Sequence, residues 1–203
     1  PSKIAPRQVL KNIIKQLNNE DLQAVVAPEL EFYLCEQNLD PDLPLKTPIG
    51  KSGRRETGSR VFGIDAVNEF DKLTDDIYDY CELMNIGVDT LVHESGPSQI
   101  EINLNHGDPL ALADQAFMFK RAVRQVALKH NIHATFMAKP YQGQPGSSMH
   151  IHQNLVSAKT GANLFSDKEG NNSKEFFHFI GGLQTYLPDA MLVFAPYVNS
   201  YRR

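Results

Sequence analysis

The 203-residue chain is 41% hydrophobic and 22% charged, which suits one globular domain able to bury a substantial core and excludes disorder as its governing state. Its 20 Lys+Arg against 24 Asp+Glu leave a net charge of −4, so composition offers no affinity for nucleic acid or for an anionic membrane. The longest apolar runs, such as Met191 to Ala195, fall far short of the roughly 20 residues that cross a bilayer, and no basic-then-apolar leader is evident; a soluble, cytoplasmic protein is expected.

In chain order, the first element is a helix after Pro6, with Val9, Ile13 and Leu17 on one stripe and Leu10 and Ile14 beside them. A strand over Ala24 to Cys35 follows, and then a polar, Gly- and Pro-rich excursion from Asn38 to Arg60. An acid-rich helix is expected from Ala66 to Met84, stopping at Gly87. Two strands come next, Thr90 to His93 and Gln99 to Asn103; only Glu94 to Ser98 separates them, too short for a parallel crossover, so they pair antiparallel. A third helix is capped by Asp108, opened by Pro109, and repeats Leu112, Ala116, Phe119, Val123, Val126 and Ala127 at helical spacing. Strands over His133 to Ala138 and Ser148 to Leu155, a second excursion from Ser157 to Asn172, and a helix opened by Ser173 and ended near Pro188 complete the pattern. The fold class is therefore α+β, an antiparallel sheet with helices packed on one side. Cys35 and Cys81 have neither CxxC spacing nor the number for a disulfide framework, and read as buried or half-buried thiols. The chain begins at Pro1 without an initiator Met and stops at Tyr201-Arg202-Arg203, so a piece of a longer chain is expected.

Three strands carry polar residues where an amphipathic pattern predicts one face. Side chains alternate, so in Pro28-Glu29-Leu30-Glu31-Phe32 the two glutamates share a face opposite Leu30 and Phe32. The pattern recurs in Gln99-Ile100-Glu101-Ile102-Asn103, with Glu94 just ahead of it, and in Met149-His150-Ile151-His152. Taken singly, Glu-x-Glu reads as a solvated sheet face and His-x-His as structurally satisfied histidines. Taken together, Glu29, Glu31, Glu94, Glu101 and His150 would bring four carboxylates and an imidazole to one place, a set that requires cations. Carboxylate-rich sites with one nitrogen ligand suit Mg²⁺ or Mn²⁺ better than zinc or copper. Gly143-Gln144-Pro145-Gly146-Ser147-Ser148 reads as a plain turn or as an anion-facing loop, and Arg202 and Arg203 as a solvated terminus or an anion clamp.

Four motifs in order, Ala27-Pro28-Glu29-Leu30-Glu31-Phe32, His93-Glu94 with Gln99-Ile100-Glu101, Pro145-Gly146-Ser147-Ser148-Met149-His150-Ile151-His152, and Asn199-Ser200-Tyr201-Arg202-Arg203, resemble the successive signatures of the glutamine synthetase family. Gly50-Lys51-Ser52-Gly53-Arg54-Arg55-Glu56-Thr57-Gly58 and the run from Glu101-Ile102-Asn103 into His106-Gly107-Asp108 look most like its γ-glutamylputrescine synthetases. The resemblance implies that residues 1–203 are part of one catalytic domain, with the family's N-terminal β-rich domain and C-terminal remainder absent, and that this stretch alone is inactive. It implies one metal on Glu31, Glu94 and Glu101, a second on Glu29 and His150 plus a ligand beyond Arg203, nucleotide phosphate at His152, the substrate glutamate backbone at Gly146 and its carboxylate at Arg203. Gln99 and Ser148 are left as neighbours without a role. The implied reaction is ATP-dependent: phosphorylation of the γ-carboxylate of glutamate, then displacement of phosphate by ammonia or a polyamine such as putrescine, in a homo-oligomeric ring with two Mg²⁺ or Mn²⁺ sites. One departure stands out: glutamine synthetases often have Asn before the glycine, where this chain has Pro145, which lacks an amide side chain and a backbone donor. Two other classes compete, a dinuclear metal hydrolase using both His150 and His152, and a non-catalytic assembly relative.

Overall fold

Alternation along the strands is what builds the sheet. In the computed structural model, which describes residues 2–203 and leaves Pro1 outside the described residues, β1 (Leu22–Glu36) is the longest strand. It pairs antiparallel with β3 (Gln99–Leu104) and with β4 (Ile132–Thr135), and β3 pairs antiparallel with β2 (Val88–His93). The five-stranded sheet runs β2-β3-β1-β4, with β5 (Met149–Ser157) also pairing with β1. The antiparallel pairing expected across Glu94 to Ser98 is present, with a bulge between Val88 and Leu91.

Two compact units make up the chain, and β1, α4 and β5 pass from one into the other. The larger comprises Pro28–Asn105, Gln115–His150 and Val198–Arg203. Its core lies on the even-numbered face of the sheet: Leu30, Phe32, Leu34, Ile100, Ile102 and Leu104 are buried, together with Leu73, Ile77 and Cys81 of α3 (Asp71–Leu83) and Phe119, Val123 and Val126 of α4 (Pro109–Lys129). Burying each such aliphatic or aromatic side chain contributes about 1.5–3 kcal/mol, which makes this face the source of the unit's stability. Cys35 and Cys81 are free and buried, and burial pushes both thiols up to about 11.

The smaller unit, Pro1–Ala27, His106–Asp114 and Ile151–Tyr197, holds α1 (Pro6–Asn19) and α5 (Lys174–Phe194). The N-cap signals expected from sequence are realised: Asp108 accepts the N–H of Ala111 at 2.9 Å and Ser173 that of Phe176 at 3.1 Å. The apolar stripe of α1 is present, yet none of its residues is buried. Among the described residues no helix is long and apolar enough to cross a membrane.

Three boundaries depart from the sequence pattern. The helix expected over Ala66 to Met84 is two, α2 (Ile64–Asn68) and α3, because the carbonyl of Glu69 accepts the N–H of Lys51 at 3.0 Å instead of continuing the helical ladder. The strand expected to reach Ala138 stops at Thr135; β1's next backbone donor on that edge, the Glu31 N–H, goes to Ser148, so β5 takes the edge from β4. The last helix continues through Pro188 to Phe194, although proline cannot donate a ladder bond.

Candidate active site

The register sets the polar face. Glu29 lies opposite Asn103, Glu31 opposite Glu101, and Tyr33 opposite Gln99, so the odd-numbered residues of β1 and β3 form one acidic surface. Directly opposed like charges on neighbouring strands repel. Glu31 and Glu101 are nonetheless 7% and 8% exposed, and burial raises both carboxyls above their ordinary range; the charges of Glu29, Glu94 and Glu31 raise Glu101 further, and that of Glu94 raises Glu31. A surface that concentrates carboxylates and withdraws them from water is suited to a divalent cation.

One oxygen of Glu31 is held by the protein. Its Oε2 accepts the backbone N–H of Ser148 at 3.0 Å and the side-chain amide of Gln99 at 3.1 Å, while Oε1 lies 3.9 Å from Nδ1 of His150. That His150 nitrogen is also 3.1 Å from Oε2 of Glu29. Glu29, Glu101 and His150 offer ligand atoms that all lie within 4.8 Å of one another. This group draws from both of the ligand sets that the family resemblance implies, since it joins Glu101 to Glu29 and His150. Glu94 closes the β2–β3 turn, where its N–H donates to the carbonyl of Gln99 at 2.8 Å.

Gln99, 1% exposed, is a hub that the sequence pattern left without a role. Its amide nitrogen donates to Glu31, to the carbonyl of Gly146 at 3.1 Å and to the hydroxyl of Ser147 at 3.3 Å, and its oxygen accepts the N–H of Gly96 at 2.9 Å. Its place in the Gln-x-Glu-x-Asn alternation was the available signal. Gly96 has to lack a side chain, because a Cβ there would lie 1.8 Å from the Tyr33 hydroxyl, which donates to the carbonyl of Pro145 at 2.8 Å. Pro145, whose ring removes a donor, is thus used through its acceptor.

Gly146 and Arg203 touch. A Cβ on Gly146 would lie 2.6 Å from the backbone carbonyl of Ala138, which requires glycine there, and 2.7 Å from Nε of Arg203, whose side chain occupies the space the missing Cβ leaves. Arg203 also donates to the Ser148 hydroxyl. A short 3₁₀ turn, Val198–Arg202, delivers it, fastened by reciprocal bonds between Asn199 and the backbone of Lys139 at 2.7 and 2.9 Å. Glu29, Glu31, Glu94, Glu101, His150, Gly146 and Arg203 therefore all belong to the larger unit. His152 is exposed, lies two residues beyond His150 on β5 and belongs to the smaller one.

A family model described as "Glutamine synthetase, catalytic domain" matches residues 3–203. The chain is 42% identical over its whole length to the γ-glutamylputrescine synthetase PuuA of Escherichia coli K12, spanning 43% of that protein, and 35% identical over 98% of its length to the glutamine synthetase of Pyrococcus abyssi, spanning 42%. Among solved structures it superposes on apo GmaS with a TM-score of 0.84 at 29% identity, covering 100% of this chain and 46% of that one. It also superposes on Plasmodium falciparum glutamine synthetase at 0.85, covering 100% and 44%; at 24% identity that likeness shows the fold alone. The chain thus spans less than half the length of the relatives it matches.

Proposed function

The chain belongs to the glutamine synthetase family, and from that premise we propose that it is catalytic sequence of an ATP-dependent ligase joining the γ-carboxylate of glutamate to an amine. The observation that carries the proposal is the acidic face itself: Glu31 and Glu101 are buried opposite each other, with Glu29 and His150 within ligand distance, beside the Gly146–Arg203 contact. Glu31, Glu94 and Glu101 are assigned to one Mg²⁺ or Mn²⁺ and Glu29 and His150 to a second. When bound, the cations supply neutralising charge along the phosphates, which in-line transfer between two anions needs.

The chain's own residues prepare the reactants. Arg203, a fixed guanidinium fork, is assigned to the glutamate carboxylate and the Gly146 backbone to the rest of the amino acid. His152 is assigned to nucleotide phosphate. A γ-carboxylate oxygen of glutamate attacks the terminal phosphorus of ATP, and the bond to ADP breaks. The amine nitrogen then attacks the acyl carbon of γ-glutamyl phosphate, phosphate leaves with the C–O pair, and the nitrogen loses a proton to give the amide.

The acceptor is read as putrescine or a similar polyamine ahead of ammonia. Support comes from the 42% identity to a γ-glutamylputrescine synthetase against 35% to a glutamine synthetase, and from the acidic face, whose negative potential suits a dication. A homo-oligomeric ring in the cytoplasm completes the reading. The experiment is phosphate release by the full-length protein at fixed ATP and glutamate, with ammonia and diamines as competing acceptors compared by kcat/KM. Putrescine is expected to give the largest value. A larger value for ammonia would replace the acceptor and leave the ligase intact, whereas phosphate release that ignores glutamate would refute the ligase.

A further inference from the structure

Glu56 lies in the exposed Asn38–Arg60 excursion, yet its side chain is only 8% exposed. Its Oε2 accepts the backbone N–H of Ser98 at 2.6 Å and lies 2.9 Å from Nε2 of His93, while its Oε1 is buried with no hydrogen-bond partner. Withdrawing a carboxylate from water with one oxygen unpaired costs stability. A surface loop gains nothing from that cost, and residues that break a local rule in this way concentrate around functional sites.

What Glu56 grips is the turn that carries Glu94. His93, 1% exposed, places Nδ1 2.8 Å from the carbonyl of Glu94, so the Glu56–His93 pair reaches one end of the turn and the Glu56–Ser98 bond the other. Ser98 is fully buried with φ at 58°, a left-handed conformation that a serine keeps only where its surroundings over-determine it. Two contacts do so: Glu56 on its N–H, and the Leu34 N–H on its carbonyl at 2.9 Å. Immediately after Ser98 comes Gln99, which fixes the Oε2 of Glu31. The chain that ends on the acidic face therefore starts in the excursion.

We propose that Glu56, acting directly on Ser98 and through the His93 ring on Glu94, is a positioning residue that sets the Glu94 carboxylate toward Glu31 and Glu101. This inference rests on the metal-ligand reading above and adds to it a residue that touches neither metal nor substrate.

The test is a Mn²⁺ titration of the full-length protein without nucleotide, followed by electron paramagnetic resonance, on wild type, Glu94→Gln, Glu56→Ala, Glu56→Gln and Arg55→Ala. Substituting residues that hold ligands in place typically weakens metal affinity about 10–100-fold, and that loss is expected for Glu56→Ala at the same site that Glu94→Gln weakens. Arg55 braces the same excursion against Glu36 and the Thr47 carbonyl without reaching the turn, so Arg55→Ala should keep wild-type affinity. Equal losses in Arg55→Ala and Glu56→Ala would mean that general loop order is what matters, and would overturn the proposal. Wild-type affinity in folded Glu56→Ala would overturn it too. If Glu56→Ala does not fold, Glu56→Gln decides: it keeps an acceptor for Ser98 but alters the contact to His93, and an unchanged Mn²⁺ affinity there would again overturn the proposal. A wild-type protein that binds no Mn²⁺ would instead remove the metal-ligand reading, and this inference with it.

Discussion

On the even-numbered face of β1 and β3, Leu30, Phe32, Ile100 and Ile102 are at most 1% exposed and apolar; on the odd-numbered face, Glu31, Gln99 and Glu101 are nearly as buried, at 7%, 1% and 8%. The backbone register is common to both. Burial therefore has opposite consequences one residue apart, releasing water from hydrocarbon on one side and stripping it from charge on the other. The difference teaches that the sheet's stability comes from one face and is partly offset to arm the other.

Breaking the apolar face should have the largest effect. Phe32→Ala, which empties a site with 0% exposure, is expected to cost about 3–5 kcal/mol in denaturant unfolding. A loss below about 1 kcal/mol would show that Phe32 is not part of the core.

The acidic face should respond with the opposite sign. Glu101→Gln removes a carboxylate that faces Glu31 and is raised by burial and by three neighbouring carboxylates, so the metal-free protein is expected to melt at a higher temperature. The same change should weaken Mn²⁺ binding at least about tenfold, equivalent to about 1.4 kcal/mol. Melting curves with and without Mn²⁺ check both, and a lower metal-free melting temperature would contradict the comparison.

The smallest effect is in pH. Glu31 and Glu101 hold their protons more tightly folded than unfolded, so their contribution is full below the ordinary carboxylate range and falls as pH rises through that range toward the raised values. Half-buried Asp76 and exposed Asp114, lowered by hydrogen bonds from His130 and Arg7 respectively, act with the opposite sign: their contribution is present above the ordinary range and lost as pH falls. The quantity to measure is therefore the difference in urea midpoint between wild type and Glu31→Gln from about pH 4 upward, without metal. Glu31→Gln should gain on wild type as pH rises, and a Glu31→Gln midpoint that loses ground to wild type over the same range would be inconsistent with a raised Glu31.

Period-2 alternation made the sheet and its acidic face legible, because Glu29, Glu31, Glu101 and His150 sit on strands whose direction the neighbouring apolar residues announce. The caps at Asp108 and Ser173 were legible for the same reason, as each acts within three residues of itself. Features that depend on distant partners were not. The split between α2 and α3 needs Lys51, and the burial of Glu56 needs His93 and Ser98, 37 and 42 residues away. Gln99 was visible as a residue of the right face, but two of its four contacts, to Gly146 and Ser147, arise only once the Pro145–Ser148 loop is folded beside it. The apolar stripe of α1 misled in the other direction: periodicity reports which residues share a face and does not report what covers it.

The two buried thiols give the larger unit a pair of internal clocks. Cys35 lies on β1 between the two pairing edges, and Cys81 near the end of α3. With each thiol held up to about 11 and closed off from solvent, alkylating reagents reach neither in the native state, so labelling must wait for an opening event. Mass spectrometry of the two sites under limiting reagent then separates two modes of motion. Equal rates mean that strand and helix open together as one cooperative unit, and faster labelling of Cys81 means that α3 peels away while the sheet bearing the carboxylates stays shut.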